Sequence, residues 1–523
     1  MPGGALVEPD APCALKKSRV MTELEFNALA AQGYNRIPLI AETVADLDTP
    51  LSLYLKLAHT DRAGANSFLL ESVEGGERFG RYSFIGLPAR TLIRASGFGE
   101  HALTEVVQDN QVVETSRGDP LAFVEEFRAR FKPVIQSGLP RFCGGLAGYF
   151  GYDVVRHIET RLGASRKPDP LGIPDLLLLV TEELAVIDNV AGKIYLIVYA
   201  DPAHPEAFSK ARARLRDLRL RLRRPVDIPY SQPSMATEAV REFAKSDYLK
   251  AVHQAKELIA QGDLMQVQVG QRIVKPFRDA PITLYRALRS LNPSPYMYFY
   301  NFAGFHVVGS SPEILVRQEK AAHSAEQRIT IRPLAGTRPR GASAEEDAAL
   351  ETELLNDPKE IAEHVMLIDL ARNDVGRIAK TGSVEVPQRL AIERYSHVMH
   401  IVSSVEGILK EDIGSIDVLR ACFPAGTLTG APKVRAMEVI DQLEPSKRGL
   451  YGGACGYLSF AGAMDLAIAI RTGIIKDGQL HVQAAAGIVA DSVPENEWQE
   501  TENKARAVLR AAEQAQEGLD GEW

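Results

Sequence analysis

Cysteine is scarce. Four occur in 523 residues, Cys13, Cys143, Cys422 and Cys455, far apart and never as C-x-x-C. That spacing argues against a disulfide framework or a zinc site. It suits a reducing compartment, so a cytoplasmic location is expected. An excess of positive charge is also missing. The net charge is −8 and the isoelectric point about 5.9, so no nucleic-acid partner is expected; that would need a basic domain or stripe. No uncharged apolar run is long enough to cross a bilayer, so no membrane partner is expected either. Residues 1–20 lack a continuous apolar h-region and read as a flexible tail rather than a signal. A Ser-His-Asp order, zinc spacing and a dinucleotide glycine pattern are likewise missing. What is present is ordinary for a globular chain: 45% hydrophobic and 24% charged residues, enough for a large core and about two to four domains.

Strand-like runs dominate the first half. They fall at 67–73, 81–86, 146–150, 176–180, 184–187 and 194–199, with a turn at 74–77 joining the first two. A short helix is predicted at 21–29. A basic, leucine-punctuated helix at 208–224 reads as a solvated face, given the acidic whole. Residues 225–237 are rich in Pro and Ser and lack periodicity. They mark a linker, taken as 225–240, between an N-terminal region at 21–224 and a second region at 241–515. In the latter, Tyr248, Leu249, Val252, Ala255, Leu258 and Ile259 have helical spacing, with Gly262 just past the end. A strand at 264–274 and a helix at 282–291 follow, the helix stopped by Asn292-Pro293-Ser294-Pro295. A hairpin spans 296–309, and a strand at 329–334 leads into a turn at Ala335-Gly336-Thr337. Helices follow at 344–355 and 358–375. Strands and helices in this irregular order predict an α+β fold.

The stretch 424–504 is the densest in candidate chemistry. Gly426-Thr427-Leu428-Thr429-Gly430 is a turn, and Ala431-Pro432-Lys433 begins an amphipathic helix whose N-terminus suits an anion. The Gly-Lys-Ser/Thr ending of a phosphate loop is absent, and a generic turn before a helix is the alternative. Tyr451-Gly452-Gly453-Ala454-Cys455-Gly456-Tyr457 lets a ligand approach backbone closely. An apolar strand ends in Arg471, a cation that requires an anionic partner when buried. Another, at 482–490, carries Ala485-Ala486-Gly487. Ser492 is the expected N-cap of the last helix.

Two carboxylate pairs stand out. Glu360 and Glu363 are three apart on one predicted helix, and Glu497 and Glu500 repeat that spacing on another, so each pair shares a face. Such pairs serve equally as solvated helix faces or, converging, as a site for Mg2+, which prefers carboxylate and water oxygens. His400 sits in an apolar run, where a histidine is a core residue or a catalyst.

Taken together, these motifs resemble the chorismate-utilising enzymes, most closely the anthranilate synthase component I family. The resemblance rests on Arg332 through Gly341, Lys359-Glu360-Ile361-Ala362-Glu363-His364 and Asp369-Leu370-Ala371-Arg372-Asn373-Asp374. It continues through Tyr395 to His400, Gly426 to Lys433, Tyr451 to Tyr457 and Asp491 to Lys504. It is dense over residues 246–512 and thinner before them. It implies large antiparallel sheets packed in layers, flanking helices and an active site in a deep cleft. Chorismate would be bound through Mg2+ held by Glu360, Glu363, Glu497 and Glu500. Gly336, Thr337, Thr427, Tyr451, Arg471, Ala485, Ala486 and Gly487 would contact chorismate. The run at Ala485 departs from the family in having alanine where glycine is common, which a backbone contact tolerates only if no Cβ clashes. Glu313 matches the general acid, a role that needs a raised pKa, and His400 the residue implicated in pyruvate elimination. Relatives with other nucleophiles carry lysine at the positions of Ala335 or Gln266. This chain has neither amine, so ammonia is the expected nucleophile.

The same resemblance implies a tryptophan feedback site at Glu71, Ser72, Pro295, Tyr296, Met297 and Tyr457. A glutaminase domain is not visible, so a separate glutamine amidotransferase partner and a heterotetramer are expected. The implied activity is anthranilate formation in tryptophan biosynthesis. Its alternatives are an aminodeoxychorismate synthase or a non-catalytic tryptophan-binding regulator.

Overall fold

A computed structural model describes residues 21–519 except 60–64, 74–79, 137, 166, 230–236, 322–323, 325 and 396–397. The expected tail, the turn at 74–77 and Cys13 lie outside these residues. The remaining cysteines, Cys143, Cys422 and Cys455, are free and buried. Among the described residues no helix is long and apolar enough to cross a membrane.

Two twelve-stranded antiparallel sheets pack face to face. One runs from Ile37–Val44 at its edge through Asn66–Glu71, Tyr296–Phe302, Phe305–Ser311, Thr472–Lys476 and Gln479–Ile488 to Gln266–Pro276. The other runs from Leu334–Pro339 through Val398–Ile408, Ile314–Lys320, Met464–Ile468, Ala454–Ser459 and Gly145–Phe150 to Gln111–Arg117. Helices cover both outer faces, giving a helix–sheet–sheet–helix stack with α+β content.

Burial on both faces explains the uninterrupted apolar strands. Leu176, Leu178 and Val180 point outward, against Leu121, Val124 and the helix Pro358–Ile378. Leu177 and Leu179 point inward and meet Tyr149, Tyr298 and Tyr300 between the sheets. Fully burying each such Leu or Phe contributes about 1.5–3 kcal/mol.

The two halves of the sequence do not form separate bodies. Met297 pairs with Glu71 and Gly456 with Gly148, so each sheet joins a block of strands from before the linker to a block from after it. Hydrogen bonding across sheets, invisible in local composition, overrides the boundary suggested by residues 225–240.

Several local expectations are corrected. Ala335-Gly336-Thr337 is not a turn but part of the strand Leu334–Pro339, with a register shift between Ala335 and Thr337. Gly336 is the bulge residue, at φ +70°, a conformation that glycine alone adopts without penalty. The last helix, Pro494–Glu517, is capped by Val493 rather than Ser492; the Ser492 hydroxyl instead accepts the Val489 N–H at 3.0 Å. The Gly426 turn does not run directly into the next helix. Gly430–Ala431 first pairs with Gln266 and Val267, and the helix is Lys433–Leu443. Arg471 lies beyond the strand Met464–Ile468, in left-handed backbone at φ +49°.

Candidate active site

The candidate site gathers where Gln266, on the strand Gln266–Pro276, reaches Glu363 on the helix Pro358–Ile378. That helix starts at Pro358 because Asp357 caps it, accepting the N–H groups of Lys359 and Glu360. Glu360 and Glu363 therefore lie in its first two turns, and Glu497 and Glu500 occupy the start of the last helix. Lys359 is close enough to Glu497 to lower its pKa, so the two helix N-termini meet. The positive ends of both helices favour the four carboxylates there.

The four do not close into a ready cage. Among the described residues no three His, Cys, Asp or Glu side chains gather closely enough to hold a metal ion. Each pair finds other partners. Gln266 Nε2 donates to Glu363 Oε1 at 3.4 Å, and Lys504 Nζ meets Glu500 Oε1 at 2.7 Å. Burial first, and then Glu363, raises the pKa of Glu360; burial also raises that of Glu497. Mutual repulsion keeps such carboxylates apart until a cation joins them. Their oxygens are donors of the type Mg2+ prefers, and that ion takes only one or two protein carboxylates when it shares its shell with water and an anionic substrate. The donor set fits.

Glu313 is almost fully buried, at 7% exposure. Burial pushes its carboxyl up to about 8, against smaller opposing effects from Thr427, Lys504 and Arg471. The Ser311 hydroxyl accepts the Glu313 N–H, and Ile468 N–H donates to the Glu313 carbonyl at 3.0 Å. The acid is thus fixed from its backbone. Thr427 stands beside it, with its buried hydroxyl close enough to the carboxyl to oppose that rise.

Arg471 is partly buried, and burial lowers its pKa. Among the described residues no carboxylate forms an ion pair with it. Its φ of +49° turns its carbonyl to Ser310 N–H, at 3.1 Å.

His400 is buried, and its pKa falls to about 4 through burial and the neighbouring Arg471 charge. Its Nδ1 lies 3.1 Å from the Gly336 carbonyl and 3.0 Å from Thr337 Oγ1. A carbonyl only accepts, so Nδ1 carries the proton and Nε2 keeps its lone pair. The Gly336 bulge thereby sets the tautomer of His400. Ser396 and His397 of this motif lie outside the described residues.

Tyr451 is buried, hydrogen-bonded to the Ala485 backbone and stacked against the Arg448 guanidinium, 5.6 Å from its ring centroid. Ala485, Ala486 and Gly487 alternate as a strand must. The Ala485 methyl packs with Tyr451 in one core; the Ala486 methyl points the opposite way, against Tyr248 and Trp498. Only the backbone of Ala486 can therefore face a ligand in the cleft. A Cβ at Gly487 would come within 2.7 Å of Gln266 Nε2 and 2.9 Å of Gln268 Nε2, so glycine is required there unless both amides move.

Two residues here escaped the sequence reading. Lys504 Nζ also donates to Ala485 O at 3.0 Å, tying the last helix to the strand. Arg448 donates to Leu428 O at 2.7 Å and Gln268 O at 3.0 Å and pairs with Glu444. Its spacing of four from Glu444 was the available signal.

A second cavity lies between the sheets, with about 50 Å³ open to the centres of water-sized spheres. Glu71, Ser72, Pro295, Tyr296, Met297 and Tyr457 all line it. The Glu71 carboxylate is already engaged, by Arg289 at 2.7 Å and Tyr285 OH at 2.8 Å. Sequence reasoning missed the charges opposite. Asp465 accepts from Arg317 at 2.9 Å, Arg141 at 3.2 Å and Tyr296 OH at 3.0 Å. Arg141 Nε and the Tyr457 hydroxyl are buried with no hydrogen-bond partner among the described residues. For Arg317 and Asp465, a charge inside an otherwise apolar strand was the signal; Arg141 precedes the strand Gly145–Phe150 and had none.

Comparison with known proteins identifies the family of this chain. The sequence profile of the family described as chorismate binding enzyme matches residues 67–510, and the chain belongs to that family. It is 57% identical over 504 residues to anthranilate synthase component 1 of Neisseria meningitidis, covering 96% of this chain and all of that one. It is 56% identical over 515 residues to the protein of that name from Pseudomonas aeruginosa, with 96% and 100% covered. The crystal structure of anthranilate synthase component I from Streptococcus pneumoniae superposes with a TM-score of 0.71 at 36% identity, covering 90% of this chain and 99% of that one. The menaquinone-specific isochorismate synthase of Escherichia coli shares the fold at 19% identity, with a TM-score of 0.67 over 94% and 98% of the two chains.

Proposed function

We propose that this chain is the large subunit of an anthranilate synthase, converting chorismate and ammonia to anthranilate, pyruvate and water in tryptophan biosynthesis. The observation that carries this reading is the pairing of a buried carboxyl held protonated near neutrality, Glu313, with a neutral imidazole whose Nε2 is unprotonated, His400. One can donate a proton and the other accept one at the same pH.

Arg471 and the backbone of 485–487 hold the carboxylates of chorismate, and Tyr451 and Thr427 orient the ring. Glu360, Glu363, Glu497 and Glu500 would hold Mg2+, which when bound neutralises the ring carboxylate. Ammonia forms the new bond at C2 while the C4–O bond breaks, and the hydroxyl leaves as water with the Glu313 proton. His400 Nε2 then removes the C2 proton. Those electrons make the ring aromatic as the enolpyruvyl C–O bond breaks, and pyruvate forms once the enol takes a proton. Gln266 and Ala335 supply no amine, which supports ammonia as the nucleophile.

The second cavity is assigned to tryptophan as feedback inhibitor. An apolar floor of Pro295 and Met297 suits an indole, and the unpaired Arg141 Nε–H suits a carboxylate. Ammonia would come from a separate glutamine amidotransferase subunit, in a heterotetramer. The deciding experiment incubates the purified chain with chorismate, Mg2+ and ammonium and identifies the product. Fluorescent anthranilate with pyruvate supports the assignment; aminodeoxychorismate, or no turnover, overturns it.

A further inference from the structure

We propose that a small cavity behind Glu313 holds water that returns a proton to its carboxyl, with Asp374 as the outer station of the path. The proposal rests on Glu313 being the general acid.

Proton balance poses the need. Each amination transfers the Glu313 proton to the departing hydroxyl, while the added ammonia sheds one proton to the medium. Glu313 is left as a buried carboxylate, one proton short, with the ring still occupying the cleft. A route that bypasses the ring would restore it.

The cavity offers such a route. It has about 30 Å³ open to the centres of water-sized spheres, above the roughly 10–15 Å³ one water needs. Glu313, Thr427 and Asp374 all line it, with Leu370, Ala371 and Cys422 as apolar wall. Three polar groups meet the two to four partners a buried water requires. The Thr427 hydroxyl is sealed from solvent and faces the Glu313 carboxyl, and a hydroxyl both donates and accepts.

Asp374 lies just beneath the surface. It is 5% exposed, while Arg377 on the same helix is exposed. Its carboxylate pairs with Lys433 Nζ at 2.8 Å. Burial raises its pKa, opposed by Lys433 and then Arg377; Cys422 also faces it. Lys504 and Arg471 face Glu313. No other acidic group lines the cavity.

The test uses the full chain with chorismate, Mg2+ and ammonium, comparing Asp374→Asn, Asp374→Glu, Ala371→Val and Glu313→Gln. Asp374→Asn should lower kcat roughly ten- to a hundred-fold, less than the roughly hundred- to ten-thousand-fold of a direct proton donor, with KM for chorismate unchanged. Its solvent deuterium isotope effect should rise, and imidazole buffer should restore the rate. Asp374→Glu should keep most of the activity. Ala371→Val narrows the cavity without touching a charge and should show the same loss, so it decides the matter if Asp374→Asn fails to fold. An unchanged kcat and isotope effect, or a loss that buffer does not repair, overturns the relay. If Glu313→Gln keeps turnover, the acid assignment falls and the relay with it. If Glu313→Gln is inactive while Asp374→Asn and Ala371→Val are normal, only the relay falls.

Discussion

The cleft around Glu313 and the cavity around Tyr296 are built from the same strands, yet they treat charge in opposite ways. In the cavity, Asp465 is satisfied by Arg317, Arg141 and Tyr296, and Glu71 by Arg289 and Tyr285. In the cleft, Arg471 lacks an ion pair among the described residues and four carboxylates crowd two helix ends. Paired charges give a rigid pocket that can select a ligand without changing it. In the cleft only some charges are paired, Glu500 with Lys504 and Glu360 with Arg338, and the rest offer proton donors, acceptors and anion sites for a substrate and a cation to complete. A residue shift of a few positions along one strand separates the two: Gly456 and Tyr457 face the cavity, and Tyr451, just before that strand, faces the cleft.

Substitutions can break or sharpen that contrast. The largest effect belongs to Glu313→Gln, which removes the donated proton but keeps the shape. It should cut kcat roughly a hundred- to ten-thousand-fold, with tryptophan binding, measured by calorimetry, unchanged. Loss of both would mean the two regions are one functional unit.

Asp465→Asn should act in the reverse sense. It leaves two buried guanidinium groups without their anion, at a cost of about 3–5 kcal/mol, read from urea denaturation. Stability near that of the wild type would show the cavity charges to be solvated rather than structural.

Ser72→Ala should weaken tryptophan inhibition at least about fivefold, the lower range of allosteric coupling, and leave the uninhibited rate intact. Undiminished inhibition in a rate assay would remove the cavity from regulation.

The smallest effect is in the pH profile. Glu313 donates only when protonated, so kcat/KM should fall as pH rises through about 8. His400 accepts only when neutral, so the acid limb should lie near 4, with a plateau between. A basic limb well below 8 would contradict the burial of Glu313.

Much of the cleft was legible before the fold was known. The i,i+3 spacing of Glu360 with Glu363 and of Glu497 with Glu500 placed each pair on one helix face, and the helix boundaries were nearly right. Glu313 was reached only through resemblance, and His400, noticed in its apolar run as a core residue or a catalyst, was given a role only that way, since a lone carboxyl and a lone imidazole have no periodic signature. Gly336 was misread as a turn, because a β-bulge and a turn both call for glycine at positive φ. Asp465 and Arg141 were missed because their partners lie far away in sequence; Lys504 and Arg448 each have an acidic partner four residues away, but the carbonyls they reach, on Ala485, Leu428 and Gln268, lie on other elements.

By itself the sequence determined the elements and their faces: period two where strands are covered on both sides, period 3.6 in the helices, proline and aspartate at a helix start. Those signals are local, arising from backbone geometry and capping within a few residues. Only the tertiary structure decided that the two halves share both sheets, that Gln266 and Gln268 press on Gly487, and which charges are satisfied. Desolvation and ion pairing depend on groups brought together across more than a hundred residues, and no local pattern encodes that distance.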